Sequence, residues 1–198
     1  MNREQLLRRV KEELPDHRYQ HTVRVAETAV KLAKIHGVDS NRVNRVELAA
    51  ILHDYCKYWD SERMKTIIKA NTQLSSDLLN YDKELWHGPV GAIIAKESFG
   101  VTDSATLAAI ANHTSGRPGM CLIEKVVWLA DYIEPGRQFP GVEEIRALAE
   151  RNLDQAMLKA LANTIVFLVK REKQVYPLTL ATYNELTKLC SSDDDVNR

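Results

Sequence analysis

The chain has 198 residues, of which 44% are hydrophobic and 27% are charged, and its 27 basic residues balance its 27 acidic residues. This composition suits one globular domain with its own core, and the zero net charge argues against nucleic acid and anionic membranes as partners. No apolar run is long enough to cross a bilayer, and the first residues lack a signal peptide's apolar region. The cysteines Cys56, Cys121 and Cys190 are scattered and form no CxxC pair, which favours reduced thiols and a cytoplasmic protein.

Nearly every segment has the apolar spacing that is typical of helices. Helices are predicted over residues 3–13, 16–36, 40–54, 61–70, 85–99, 104–113, 120–133, 142–151, 154–173 and 179–189. Asp16, Asp103 and Thr179 are predicted N-caps, as is either Asp39 or Ser40, because their side chains can accept hydrogen bonds from a first helical turn. Residues 71–83 are polar and irregular, with one helical turn expected near Ser75.

The apolar run 158–169 in the helix 154–173 is expected to pack inside the bundle. We find no useful strand alternation, internal repeat or domain linker in the sequence. The prediction is therefore an all-α fold, a single-domain helical bundle over residues 1–190. The polar and acidic residues 191–198 are expected to form a frayed tail.

An adjacent histidine and aspartate end the apolar segment that begins at Val46. Imidazole nitrogen and carboxylate oxygen both ligate metals, and other histidines and aspartates stand at the borders of apolar helix faces. The candidate metal ligands are His21, His53, Asp54, His87, His113 and Asp131. This nitrogen and oxygen set without thiolate suits iron, manganese, zinc or cobalt. A single member of this set, such as His21, could instead be a buried core histidine that hydrogen-bonds to the backbone and binds no metal.

Two predicted loops combine glycine with arginine. Thr114, Gly116 and Arg117 lie in the first loop and Arg137 lies in the second, 134–141. Backbone amides and a guanidinium suit the binding of phosphate, although a plain surface turn is an equal alternative for the first loop. Arg24, one helical turn after His21, is a candidate phosphate clamp or a member of a surface ion pair.

The order His21, then His53-Asp54, then Asp131, all on helices, resembles the HD superfamily of metal-dependent phosphohydrolases. His87 and His113 resemble the additional histidines of members that hold two metals. The resemblance is more specific in five blocks, which are similar to the bacterial YqeK family and span about residues 18–171. The blocks are RYQHTVRV at 18–25, LHDYCK at 52–57, LWHGPVGA at 85–92, NHTSGRPGM at 112–120 and ADYIEPGR at 130–137.

The resemblance implies a helical bundle of the HD-domain type that hydrolyses diadenosine tetraphosphate symmetrically to two ADP, with iron as the expected metal. The number of bound ions, one or two, stays open. Manganese, cobalt or zinc in place of iron is also an alternative. The expected partner is a dinucleoside polyphosphate or a nucleoside diphosphate. The oligomeric state stays open, with a homodimer as one alternative.

Roles in this chemistry follow from residue type. Asp54 is expected to bridge two ions, with His87 and His113 on the second ion; hydrogen bonds from these histidines to phosphate are the alternative. Lys57 is expected to neutralise charge on the attacked phosphoryl group, and Arg24, Arg117 and Arg137 to bind the flanking phosphates.

Other functions remain open from the sequence. A nucleotide-binding sensor of the ADP or GDP type, with a degenerate catalytic role, belongs to a different class of protein. Another nucleotide phosphohydrolase or a phosphodiesterase is a closer alternative. Guanosine tetraphosphate hydrolases of the HD superfamily carry an acidic pair after the His-Asp motif, whereas this chain has Cys56-Lys57, which argues against that activity.

Overall fold

The computed structural model describes residues 2–196, with side chains described through Ser191, and these residues form helices and turns without a β-strand. The all-α prediction is confirmed. The helices are α1 (Arg3–Glu13), α2 (Asp16–Ile35), α3 (Ser40–Leu52), α4 (Ser61–Ala70), α5 (His87–Phe99), α6 (Ser104–Asn112), α7 (Leu122–Ile133), α8 (Val142–Ala149), α9 (Leu153–Lys170) and α10 (Pro177–Val196). Two short 3-10 turns, Ser76–Asn80 and Lys83–Leu85, interrupt the predicted irregular segment before α5.

Four helices form the centre of the bundle. Helix α2 packs against α3 and α7, and α6 packs against the same two helices from its own side. Alanines at the α2–α3 contact, including Ala26, Ala29, Ala49 and Ala50, are fully buried and let the two backbones approach closely. Helix α5 covers α6, while α9 covers α7 and carries α8 and α10 on its outer side. None of the described helices has the length and hydropathy that crossing a membrane requires.

Aspartate side chains begin several helices as the sequence predicted. The Asp39 carboxylate accepts from the amide of Arg42, and the Asp103 carboxylate accepts from the amide of Thr106. The predicted Asp16 cap is wrong, because extended Pro15 is the N-cap residue of α2 and Asp16 is the first helical residue. Asp16 still lies in the first turn, where a negative charge complements the helix dipole.

The last two helices differ from the prediction in their bounds and packing. The predicted cap Thr179 lies inside α10, which begins at Pro177, because proline suits the first position of a helix. The run 158–169 is not wholly buried, since Val166, Phe167 and Val169 are each more than half exposed. This part of α9 extends past the helices that cover its first half. The frayed tail predicted for residues 191–198 falls mostly outside the described side chains and stays an expectation.

Candidate metal centre

Six candidate ligands converge at the centre of the bundle, although they span more than a hundred positions of the chain. His21 comes from α2, His87 is the first residue of α5, and Asp131 lies in the last turn of α7. His53 and His113 are the C-cap residues of α3 and α6. Three overlapping groups have ligand atoms within 4.8 Å of one another: His21, His53 and Asp54; His53, His113 and Asp131; and Asp54, His87 and His113.

The turn after α3 explains how two consecutive residues face one site. The helix ends at Leu52, two residues before the predicted end at Asp54. The amide of Tyr55 then donates to the carbonyl of Leu52, and the amide of Lys57 donates to the carbonyl of Asp54. These hydrogen bonds join residues three positions apart, as in a 3-10 helix. The angle between neighbouring side chains therefore differs from that in an α-helix. His53 and Asp54 are both completely buried.

The Asp54 carboxylate lies between two groups of histidines. Its Oδ2 is 3.0 Å from His53 Nε2 and 3.7 Å from His21 Nε2. Its Oδ1 is 3.0 Å from His87 Nε2 and 3.7 Å from His113 Nε2. Each oxygen therefore faces its own pair of nitrogens, which is the arrangement that a carboxylate bridging two ions needs.

A second carboxylate lies beside one of the two histidine pairs. Asp131 Oδ1 lies 3.0 Å from His21 Nε2 and 4.0 Å from His53 Nε2, on the side of Oδ2. On the opposite side, His87 Nε2 and His113 Nε2 are 3.0 Å apart. One side of Asp54 thus offers two nitrogens and a second carboxylate, and the other offers two nitrogens.

Three of the histidines use Nδ1, the ring nitrogen that points away from the cluster, for a polar contact. This contact fixes which nitrogen faces the cluster. His53 Nδ1 donates to the carbonyl of Ala50 at 2.6 Å, and His113 Nδ1 donates to the carbonyl of Ile110 at 2.8 Å. His21 Nδ1 lies 3.0 Å from a carboxylate oxygen of Glu134. When Nδ1 carries the proton, the neutral ring presents the Nε2 lone pair to the cluster, which is the form that binds a metal.

Burial and charge set the protonation of the cluster. Burial lowers the pKa of His87 to about 4 and also lowers the pKa of His113. Burial opposes ionisation of Asp54, but its contacts with the histidines outweigh this and hold its pKa well below its usual range. For His53, burial is outweighed by the neighbouring carboxylate, which raises the pKa, so a proton and a metal ion compete for this ring.

Several buried polar atoms of the cluster fit a bound cation. His21 Nε2, His53 Nε2 and both carboxylate oxygens of Asp54 are buried without a hydrogen-bonding partner of suitable geometry. Unsatisfied polar atoms in a core are costly, and a divalent ion would satisfy these lone pairs. The residues therefore fit divalent metal binding through nitrogen and oxygen ligands.

A glycine allows α5 and α6 to bring His87 and His113 together. A Cβ atom at Gly88 would lie 2.8 Å from the carbonyl oxygen of Ala111 and 3.2 Å from that of Ile110. Those carbonyls belong to the last turn of α6, directly before His113. The backbones can therefore approach this closely only where residue 88 has no side chain.

The cations predicted to bind phosphate are held by carboxylates. Lys57 Nζ lies 2.5 Å from Glu84, and its positive charge adds to the lowering of the pKa of His87, which is caused mainly by burial. Arg24 Nε lies 2.5 Å from Glu134. Arg137 contacts the cluster itself, with one guanidinium nitrogen 2.7 Å from Asp131 Oδ1.

In the loop at residues 114–119, which was predicted to bind phosphate, the glycine amides and the Arg117 guanidinium have partners within the protein. The Gly116 amide donates to the carbonyl of Asn112, and the Gly119 amide donates to the carboxylate of Glu185 in α10. Arg117 makes two hydrogen bonds of 2.7 Å to the buried carboxylate of Glu124. These donors are already used within the protein, so the loop joins α6, α7 and α10 and offers no free amide cradle at these glycines. The Thr114 hydroxyl is buried without a partner.

Two charged residues beside the cluster were missed from the sequence. Arg18, three residues before His21, pairs through its guanidinium with Asp54 Oδ2. Glu134, three residues after Asp131, contacts both His21 and Arg24. A spacing of three along α2 puts Arg18 on the same helix face as His21, so the helical period is a signal that could have identified it.

Comparison with known proteins agrees with this geometry. Residues 18–136 match the HD domain family. The chain is 52% identical over 186 residues to a protein of Bacillus subtilis named bis(5'-nucleosyl)-tetraphosphatase, symmetrical, covering 94% of this chain and 98% of that protein. It is 44% identical to a protein of the same name from Staphylococcus aureus, covering 93% and 94% of the two chains.

A solved structure from Clostridium acetobutylicum has the same fold. It is described as a predicted HD superfamily hydrolase involved in NAD metabolism, and it matches with a TM-score of 0.89 and 34% identity. The match covers 95% of this chain and 98% of that one. The chain therefore belongs to the HD domain family and, within it, to the YqeK-type group of its tetraphosphatase relatives.

Proposed function

We propose that the protein is a metal-dependent hydrolase that cleaves diadenosine tetraphosphate symmetrically into two ADP. The observation that carries this proposal is the central Asp54 carboxylate, whose two oxygens face two separate pairs of histidine nitrogens. The tetraphosphatase relatives match along almost the whole chain, which supports this substrate class.

The metal ligands in this proposal are the four histidines and two aspartates of the cluster. His21, His53 and Asp131 would hold one ion, and His87 and His113 the other, with Asp54 shared between them. A divalent ion in such a site lowers the pKa of bound water and polarises a phosphoryl oxygen. We propose iron as the metal, with manganese, cobalt or zinc as substitutes that the same ligand types accept.

The chain's own residues would orient the reaction. In symmetrical hydrolysis the oxygen of water bonds to one of the two central phosphorus atoms, and the P–O bond to the bridging oxygen between them breaks. The leaving ADP oxygen then takes up a proton. Lys57 and Arg137 lie beside the cluster and can neutralise charge on the transferred phosphoryl oxygens. Arg24 supports the site through Glu134.

We also propose a cytoplasmic location. The substrate is a nucleotide, and neither Cys56 nor Cys121 forms a disulfide. Reduced thiols are typical of the cytosolic redox environment.

Product analysis tests the proposed activity. The purified protein is loaded separately with ferrous, manganous, cobaltous or zinc ions and incubated with diadenosine tetraphosphate, and its nucleotide products are separated. We expect ADP as the sole product with at least one ion. ATP together with AMP would contradict symmetrical cleavage, and bound nucleotide without turnover under every ion would favour a sensor.

A further inference from the structure

Arg18 places its guanidinium at the centre of the bundle, against the buried Asp54 carboxylate. It lies in the first turn of α2, and its side chain is 17% exposed. Its guanidinium pairs with Asp54 Oδ2, while its own Nε is buried and has no hydrogen-bonding acceptor. The side chain therefore brings a permanent positive charge and an unused N–H donor to the cluster.

Arg137 also pairs with a candidate ligand, Asp131, which lies on one side of the cluster only. Three further cations near the centre pair with glutamates. Arg24 pairs with Glu134, Arg117 with Glu124, and Lys57 with Glu84. Each of these glutamates lies outside the candidate ligand set. Arg18 differs because its partner is the carboxylate that the ions would share.

The position of this ion pair predicts a change when metal binds. The Asp54 oxygen that Arg18 contacts is Oδ2, which also faces His21 and His53. A divalent ion held at that oxygen would repel the guanidinium and compete for the same lone pairs. A buried guanidinium then needs another anion, because an unpaired buried charge is costly.

We propose that Arg18 is a substrate-binding residue that contacts an oxygen of the attacked phosphoryl group. A phosphoryl group offers anionic oxygens that a guanidinium can bind with two parallel hydrogen bonds. Arg18 then neutralises the charge that grows on those oxygens during hydrolysis. This inference rests on the proposed function and adds the residue that recognises the reacting phosphate.

Two variants test the role. Arg18→Gln removes the charge, and Arg18→Lys keeps the charge but loses the fork of donors. The matched control is Arg45→Gln, since Arg45 also pairs with an aspartate, Asp103, but lies eight residues before His53 on α3. Metal content, affinity for inorganic phosphate and ADP by calorimetry, and kcat and KM are measured for each metal-loaded protein.

For Arg18→Gln we expect unchanged metal content, at least a tenfold loss of phosphate affinity and a fall in kcat/KM of about 10²–10³-fold. Arg18→Lys should lose less, and the control should match the wild type. Phosphate affinity that stays unchanged in Arg18→Gln would overturn the assignment. A loss of bound metal would also overturn it, because Arg18 would then be a structural partner of Asp54.

The binding measurement separates this inference from the proposed function. A wild-type protein that binds phosphate through Arg18 but does not cleave diadenosine tetraphosphate would contradict the proposed substrate and support the Arg18 assignment. Cleavage by the wild type with phosphate affinity that does not depend on Arg18 would support the substrate and overturn the assignment.

Discussion

Asp54 is the residue on which the geometry of the metal centre depends. It is fully buried, and its two oxygens divide the histidine nitrogens into two pairs. Its neighbours hold its pKa far below the usual range, so the carboxylate is ionised wherever the protein is folded at neutral pH. A buried anion with no cation bound depends on Arg18 and on the surrounding histidines for compensation.

Removal of a central ligand should abolish metal binding and activity without unfolding the bundle. We expect this of His53→Ala and of Asp54→Ala, because each takes away a proposed ligand and Asp54 would be common to both ions. Metal analysis, turnover and helical circular dichroism are the measurements. His17→Ala is the control, since that histidine contacts Tyr58 at an exposed position. Full turnover with normal metal content in either variant would place the metal site elsewhere.

Glu134 orients His21 and should set the affinity for metal without binding the ion. Its carboxylate contacts His21 Nδ1 and accepts from Arg24 and from the amide of Gly136. These donors outweigh the effect of burial and lower the pKa of Glu134 to about 2, so it is an anion at neutral pH.

The variant Glu134→Gln should bind metal about 10–100-fold more weakly, because the histidine loses its charged partner. The affinity for metal is measured by titrating the protein with metal ions, once with activity as the readout and once by calorimetry. Glu150→Gln, which removes an exposed partner of Lys31, should have no effect. Unaltered metal affinity in Glu134→Gln would show that the contact with His21 has no positioning role.

At the scale of elements, ends of helices supply most of the ligands. The apolar spacing of α2, α3 and α7 and the aspartate caps of α3 and α6 were predicted from the sequence, because both depend on residues within a few positions of each other. The contact of the loop 114–119 with Glu185 was not predicted, because Glu185 is distant in sequence. Likewise, no local pattern indicates that the turn after α3 brings both His53 and Asp54 to one site.

The close contact between α5 and α6 should be sensitive to a single methyl group. Gly88→Ala places a Cβ atom 2.8 Å from the carbonyl oxygen of Ala111, so the helices must separate and His87 must move away from His113. We expect a loss of about 1–3 kcal/mol in the free energy of unfolding and weaker binding of one ion. Urea unfolding and metal titration measure these effects.

Gly91→Ala is the matched control on the same helix. A Cβ atom there would lie 3.4 Å from the Ile110 side chain, a contact that a small shift can accommodate. This variant should keep both ions and nearly all of the stability. Equal behaviour of the two alanine variants would mean that the approach of α5 to α6 at Gly88 does not position the histidines.

At the scale of the whole molecule, the bundle gathers ligands from five regions of the chain around one buried carboxylate. Sequence patterns identified all six members of the cluster, since histidine and aspartate at the border of apolar helix faces are uncommon. They did not identify Arg18 or Glu134, because charged residues at exposed helix faces have the same local pattern. For Arg18 the spacing of three residues from His21 is a signal in the sequence, whereas only the packing of α2 against α7 distinguishes Glu134 from a surface charge.

The number of bound ions tests the central claim most directly. The experiment compares the wild-type protein with His87→Ala and His113→Ala, and His17→Ala is the control. Each protein is saturated with the same kind of metal ion, freed of unbound metal and analysed for the number of ions per chain. Because one oxygen of Asp54 faces each histidine pair, the chain has ligands for two ions at the same time. We expect two ions per chain in the wild type and one in each of the two cluster variants. Unchanged stoichiometry in those variants, with weaker substrate binding, would contradict it.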